Sequence, residues 1–135
     1  MISSLLGCWK FIGSQVMDLK GGILTDPASN ASGLIIYNIN HIAVQISIPQ
    51  NCSVEGGLKV KFNYISYCGT YVFEESSQIV THNVMFSNIP DMVGHSVQRK
   101  VERIGIDNIS LTNVKPEQYG MSEQVYRKLF WKKID

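Results

Sequence analysis

Along most of the chain apolar residues alternate with polar ones, the period of a strand with one buried face. The alternation predicts about eight strands, at Trp9–Val16, Leu34–Ile39, Ile42–Ile48, Cys68–Glu74, Gln78–Ser87, Ser96–Ile104, Ile109–Asn113 and Val125–Lys133. Punctuation between them fits hairpins. Asn40-His41 reads as a tight turn, since Asn and His tolerate positive φ, Glu74–Ser77 as a polar loop, and Asp107-Asn108 as another turn. Thr25–Ser32 reads as an open surface loop, Pro49–Gly57 as a loop and Pro116–Glu123 as a turn-rich crossing segment. Leu58–Ile65 is ambiguous: Leu58, Phe62 and Ile65 have helical spacing, whereas Leu58, Val60 and Phe62 alternate. A short helix is favoured there, as a lid between strands. The whole, residues 1–135, is expected to be one all-β domain, an antiparallel meander long enough to close into a barrel.

The two ends of the pattern support closure. Gly7-Cys8-Trp9 enters the first strand and Trp131-Lys132-Lys133 ends the last. A tryptophan at one end with a cation across its face makes an apolar stopper, so Gly7, Trp9, Trp131 and Lys133 are the expected closure residues. Charged residues make up 17% of the 135, which suits a wall apolar inside and only partly charged outside.

Charge and cysteine usage exclude several classes. The formal net charge is +1 with no basic stripe, so nucleic acid is not an expected partner. Three cysteines, Cys8, Cys52 and Cys68, without a Cys-x-x-Cys pair argue against a disulfide framework or zinc site. Free thiols, no basic leader ahead of a long apolar stretch and no membrane span point to a cytoplasmic protein. Nucleophile-elbow, phosphate-loop, dinucleotide and His-Glu-x-x-His motifs are absent, and three dispersed histidines make no metal site; no cofactor is expected.

Several segments together resemble the lipocalin-like domain family, small relatives of the lipocalins whose barrel is similar to that of allene oxide cyclase. They are Gly7-Cys8-Trp9-Lys10-Phe11, Gly33-Leu34-Ile35-Ile36-Tyr37, Tyr67-Cys68-Gly69-Thr70-Tyr71, Val80-Thr81-His82, Pro90-Asp91-Met92-Val93-Gly94 with Gln98-Arg99, and Leu129-Phe130-Trp131-Lys132-Lys133. They follow the family's order over nearly the whole chain. Asn40-His41 replaces the family's usual Asp-Gly, Met92 stands where a large residue such as Trp is common, and Lys133 replaces a final Arg. The resemblance implies a meander barrel with an inner pocket and no agreed reaction.

Strand parity places the candidate chemistry. His82 shares a face with Val80, Val84 and Phe86, and Arg99 with Val97 and Val101. A connection symmetric about Pro90-Asp91 makes His82 and Arg99 direct cross-strand partners inside the barrel, about 5 Å apart at Cβ. A hairpin centred within Glu74–Ser77 brings Tyr71 to the same face, and Tyr67 and Gly69 share its parity, Gly69 leaving room beside them. Tyr37, between Ile35 and Ile39, lines the wall, while His41 and His95 are solvated.

A buried Arg must be paired, and no Asp or Glu has the inward parity on the central strands. A ligand is therefore expected to bring the counter-charge, and His82 beside Arg99 is expected to stay neutral near pH 7. Three readings follow. The first is a binding barrel for a small, mostly apolar ligand with an anionic or carbonyl group, held by Tyr37, Tyr67, Gly69, Tyr71, His82 and Arg99. The second is a cofactor-independent isomerase or cyclase with His82, Arg99 and Tyr71 as catalytic groups. In the third, Arg99 stacks on Trp9 or Trp131 and merely seals a packed barrel that serves as an interaction scaffold, with Ala43, Gln45 and Ser47 at a homodimer contact.

Overall fold

The structure, a computed structural model, describes residues 4–24, 26, 30–49, 64–116 and 124–135. Nine strands occur among the described residues: β1 (Gly7–Met17), β2 (Ile23–Leu24), β3 (Ser32–Tyr37), β4 (His41–Ser47), β5 (Tyr64–Glu74), β6 (Ile79–Ser87), β7 (Ser96–Ile104), β8 (Asn108–Asn113) and β9 (Tyr126–Lys133). From β3 to β9 each pairs antiparallel with the next, and β1 pairs with both β3 and β9, closing an eight-stranded barrel. The two-residue β2 extends only the far end of β1. The expected strands appear within two residues of their ends, except that β5 begins at Tyr64 rather than Cys68. Of the segment read as a helix, Tyr64 and Ile65 are the first residues of β5, and 58–63 lie outside the described residues, as do Cys52 and most of the crossing segment.

Alternation produced this barrel because each second residue must leave water. Ile42, Val44 and Ile46 of β4 face in while His41, Ala43, Gln45 and Ser47 face out, and Ile65, Tyr67 and Tyr71 of β5 do the same. Closure removes both sheet edges, so every long strand finds a backbone partner on each side.

One end of the barrel carries a contact between Trp9 and Lys133. Trp9 is buried, its indole N–H donates to the Leu5 carbonyl at 2.9 Å, and Lys133 Nζ stands 5.8 Å from its ring centre. Gly7 has φ +135, and a Cβ there would lie 2.4 Å from the Asp135 carbonyl oxygen. Trp131 is elsewhere: it meets Phe11 edge-on, centroids 5.5 Å apart, and lines the interior rather than the seal.

Two local expectations need correction. The β3–β4 turn is not built on positive φ. Asn38 instead accepts the backbone N–H of Asn40 and His41 on its side-chain oxygen, an Asx-type cap, and among the described non-glycine residues only Gln78 has positive φ. In β6 the inward run ends at Val84, because Met85 is an extra residue: Gly69 pairs with Val84 while Cys68 pairs with Phe86. The bulge turns Phe86 outward, 65% exposed, where unbroken alternation put it in the core.

Candidate functional site

The β5–β6 and β6–β7 ladders carry the polar interior. Tyr71 is the direct partner of His82, where a hairpin centred within Glu74–Ser77 implies only a shared face. His82 pairs with Val97, however, and Arg99 with Val80. His82 and Arg99 are thus diagonal rather than direct neighbours. The connection contains a 3₁₀ turn, Pro90–Met92, followed by Gly94 at φ +82, and its centre falls one position earlier than a turn on Pro90-Asp91 places it. A two-residue slip preserves the face, so both side chains still share the inner wall. Arg99 is half-buried, not buried, and donates from Nη1 to the Gln98 carbonyl at 3.1 Å.

His82 is 1% exposed and bonded on both ring nitrogens: Nε2 lies 2.6 Å from the Tyr37 hydroxyl and Nδ1 2.7 Å from the Tyr67 hydroxyl. Burial first, and then the Arg99 charge, hold its pKa well below the usual histidine value, so the ring is neutral with one N–H. Which nitrogen carries it follows from satisfaction. Tyr37 is also 1% exposed and has no other hydrogen-bond partner among the described residues. Were Nε2 protonated, the Tyr37 hydroxyl hydrogen would be buried without an acceptor, which costs about 1–3 kcal/mol. The Tyr37 hydroxyl therefore donates to Nε2, and Nδ1–H donates to Tyr67. The Tyr37 hydroxyl pKa is pushed well up, by burial first and then by Tyr67 and Tyr71, against a lowering by Arg99.

An internal cavity of ≈ 70 Å³ opens below this column, toward the end away from the Trp9 seal. Among the described residues its polar lining comes from Tyr67, His82, Arg99, Asn113, Arg127 and Trp131, and its apolar walls include Ile35, Val44, Ile46, Leu111 and Leu129. Of the residues expected at a site, the structure brings Tyr67, His82 and Arg99 together. Tyr71 does not line the cavity; its hydroxyl donates to the Asn38 carbonyl at 2.6 Å, and its ring meets Tyr37 edge-on at 4.8 Å. Tyr37 stands behind His82 rather than at the cavity. Gly69 does not make room for a ligand either. A Cβ there would lie 1.8 Å from the Asn83 carbonyl oxygen, so the bulged backbone of β6 fills the space.

The sequence reading did not single out Arg127 and Asp26. Arg127 on β9 approaches Asp26 at 3.9 Å, and Ser14 Oγ donates to Asp26 Oδ2. Burial lowers the Arg127 pKa, Asp26 opposes that, and Arg99 adds to it. Asp26 is buried although its segment reads as an open loop; nothing in a loop's local pattern marks the residue that folds under the barrel rim. Asn113 holds the same corner. It accepts the Arg127 backbone N–H at 2.6 Å and donates to the Val125 carbonyl at 2.9 Å and the Lys115 carbonyl at 2.7 Å.

A family model described as a lipocalin-like domain matches residues 6–134. No curated protein matches the chain.

Proposed function

We propose that this chain, which belongs to the lipocalin-like domain family, binds a small, mostly apolar molecule by an anionic or carbonyl group. The observation that carries the reading is the cavity itself, apolar along its walls and polar at one corner, where Tyr67, Arg99 and Arg127 converge. Its ≈ 70 Å³, well below the several hundred Å³ of a pocket that encloses a whole ligand, has room for the anionic or carbonyl head of a ligand and not for the body. Binding is favoured over proton transfer because both His82 nitrogens are engaged by tyrosines, which makes His82 a positioning residue for Tyr67 rather than a base facing a ligand. A cytoplasmic setting accords with the free thiols of Cys8 and Cys68; among the described residues no helix is long and apolar enough to cross a membrane.

Thermal-shift screening with amphipathic carboxylates and phenols tests the reading. A carboxylate that raises Tm in the wild type and not in Arg99→Leu, itself folded by circular dichroism, supports it. A screen in which neither chemical class raises Tm removes it.

One observation favours a second reading, a homodimer contact on the outer wall. The outward residues of β3–β6 from Ser32 to Ser47, Tyr64 to Val72 and Thr81 to Phe86 include no Asp, Glu, Lys or Arg, and Leu34, Ile36 and Phe86 are exposed beside Ala43. Two copies can stack such faces without burying like charges. Sedimentation that shows a dimer dissolved by Phe86→Lys supports this contact, and a monomer at every concentration removes it.

A further inference from the structure

Phe86 and the floor beside it carry an inference that rests on the homodimer reading and fixes its geometry. Four ladders align one outward row across the barrel: Cys8, Ile36, Ala43, Cys68 and Phe86, each the direct partner of the next. Ile36 and Phe86 stand 45% and 65% exposed, with only the small side chains of Ala43 and Cys68 between them. The row therefore sets a knob beside a trough. An open groove of ≈ 760 Å³ runs over this floor, and Leu34 and Tyr64 extend its sides.

Charge and shape select the occupant. Among the described residues of β3 to β6 around this trough, the outward positions include no Asp, Glu, Lys or Arg, whereas β7 and β9 hold Lys100, Glu102, Lys128 and Lys132. An acidic partner or an anionic membrane is met by cations, which these positions do not supply. A second copy brings the same neutral surface, its own knob and its own trough. In a two-fold contact residue i meets j while j meets i. Phe86 of each copy enters the Ala43 trough of the other only if the axis passes midway, and the residue midway is Cys68. A barrel wall curves away on either side of that axis, so contact there needs a long side chain, which Phe86 supplies. Four strands about 4.8 Å apart and six residue steps of about 3.4 Å give a face of roughly 20 Å by 20 Å. Two such faces cover on the order of 800 Å², the size of a weak, reversible contact.

We propose that two copies associate through this wall about a two-fold axis at Cys68, with Phe86 of each copy seated on the partner's Ala43. Facing sheets stack about 10 Å apart, which brings the two Cys68 thiols within reach of a short linker. The two Cys8 thiols, each three strands from the axis, stand roughly 29 Å apart along the walls. Phe86 lies outside the core, so the fold of each copy does not depend on the contact.

Sedimentation of the full chain over a concentration series, with bismaleimidoethane cross-linking and peptide mapping at the highest concentration, tests the proposal. The expected result is a reversible dimer in which Cys68 is joined to the partner's Cys68, while Cys8 is not joined to the partner's Cys8. Ala43→Trp fills the trough from an outward position; it weakens dimerisation at least about tenfold and leaves the circular dichroism spectrum unchanged. A dimer without the Cys68 cross-link, or one joined through the two Cys8 thiols, overturns this two-fold arrangement while the homodimer reading stands. A dimer that tolerates a folded Ala43→Trp does the same. A monomer at every concentration removes both. Cross-linking uses the wild-type chain, so it decides the matter even where Ala43→Trp does not fold.

Discussion

His82 shows how far a single residue can be understood from its parity. Alternation puts it on the inner wall, and burial there keeps it neutral. Its lowered pKa has a definite consequence for stability. The unfolded chain takes up a proton near pH 6.5 that the folded chain refuses, so the His82 contribution is fully present above that value and lost as pH falls below it. Unfolding free energy should fall by up to ~1.4 kcal/mol per pH unit below about 6.5. Urea titrations at pH 8 and pH 5 check this, and His82→Gln should flatten the difference. Tyr37 bounds the other side: its raised hydroxyl pKa is stabilising below about 10 and becomes a loss as pH climbs beyond it, because the unfolded phenol ionises first. Gly69 makes a different residue-scale prediction. With Asn83 carbonyl oxygen in the place of a Cβ, Gly69→Ala must push two strands apart and should cost about 1–3 kcal/mol, read from the denaturation midpoint.

Element-scale outcomes turn on bulges and turns. The Met85 bulge converts Phe86 from an expected core residue into an exposed one. Phe86→Ala should therefore change stability by less than about 0.5 kcal/mol, the range of a surface substitution. Phe11→Ala, which empties the space against the Trp131 ring, should cost about 3–5 kcal/mol. Comparable losses in chemical denaturation would contradict the bulge. A second bulge, at Ile12 between Phe11 and Gly13 in the β1–β9 pairing, repeats the lesson: Ile12 is exposed, and inward parity passes to Ser14 and Val16. That shift is what lets Ser14 reach Asp26. The β6–β7 connection moved pairing by two residues and so changed neighbours without changing faces. Tyr71, His82 and Arg99 were legible as inward-facing for this reason, while the His82–Arg99 pairing was not.

For the whole molecule, closure is the organising fact. The β1–β9 ladder joins the chain's first and last long strands, and the Trp9–Lys133 contact lies at its end. Lys133→Met should lower stability by no more than about 1 kcal/mol, since an accessible cation–π contact is weak. Gly7→Ala at positive φ against the Asp135 carbonyl should cost more, and the order of the two midpoints tests what holds this end shut. Amino-acid order alone determined the eight long strands to within a few residues and, away from the bulges, the face each residue takes, because a period-two pattern admits one way of hiding its apolar half. Tertiary structure decided everything that depends on how separate strands meet. It set the direct partners of His82, the outward turn of Phe86 and the burial of Asp26 beside Arg127. It also turned Tyr71 to a backbone carbonyl and left Trp131 with an unanswered N–H at the cavity. Alternation fixes only the side of the sheet a residue faces; bulges, turn centres and rim loops set which groups come within hydrogen-bond reach, and those are fixed by closing the barrel.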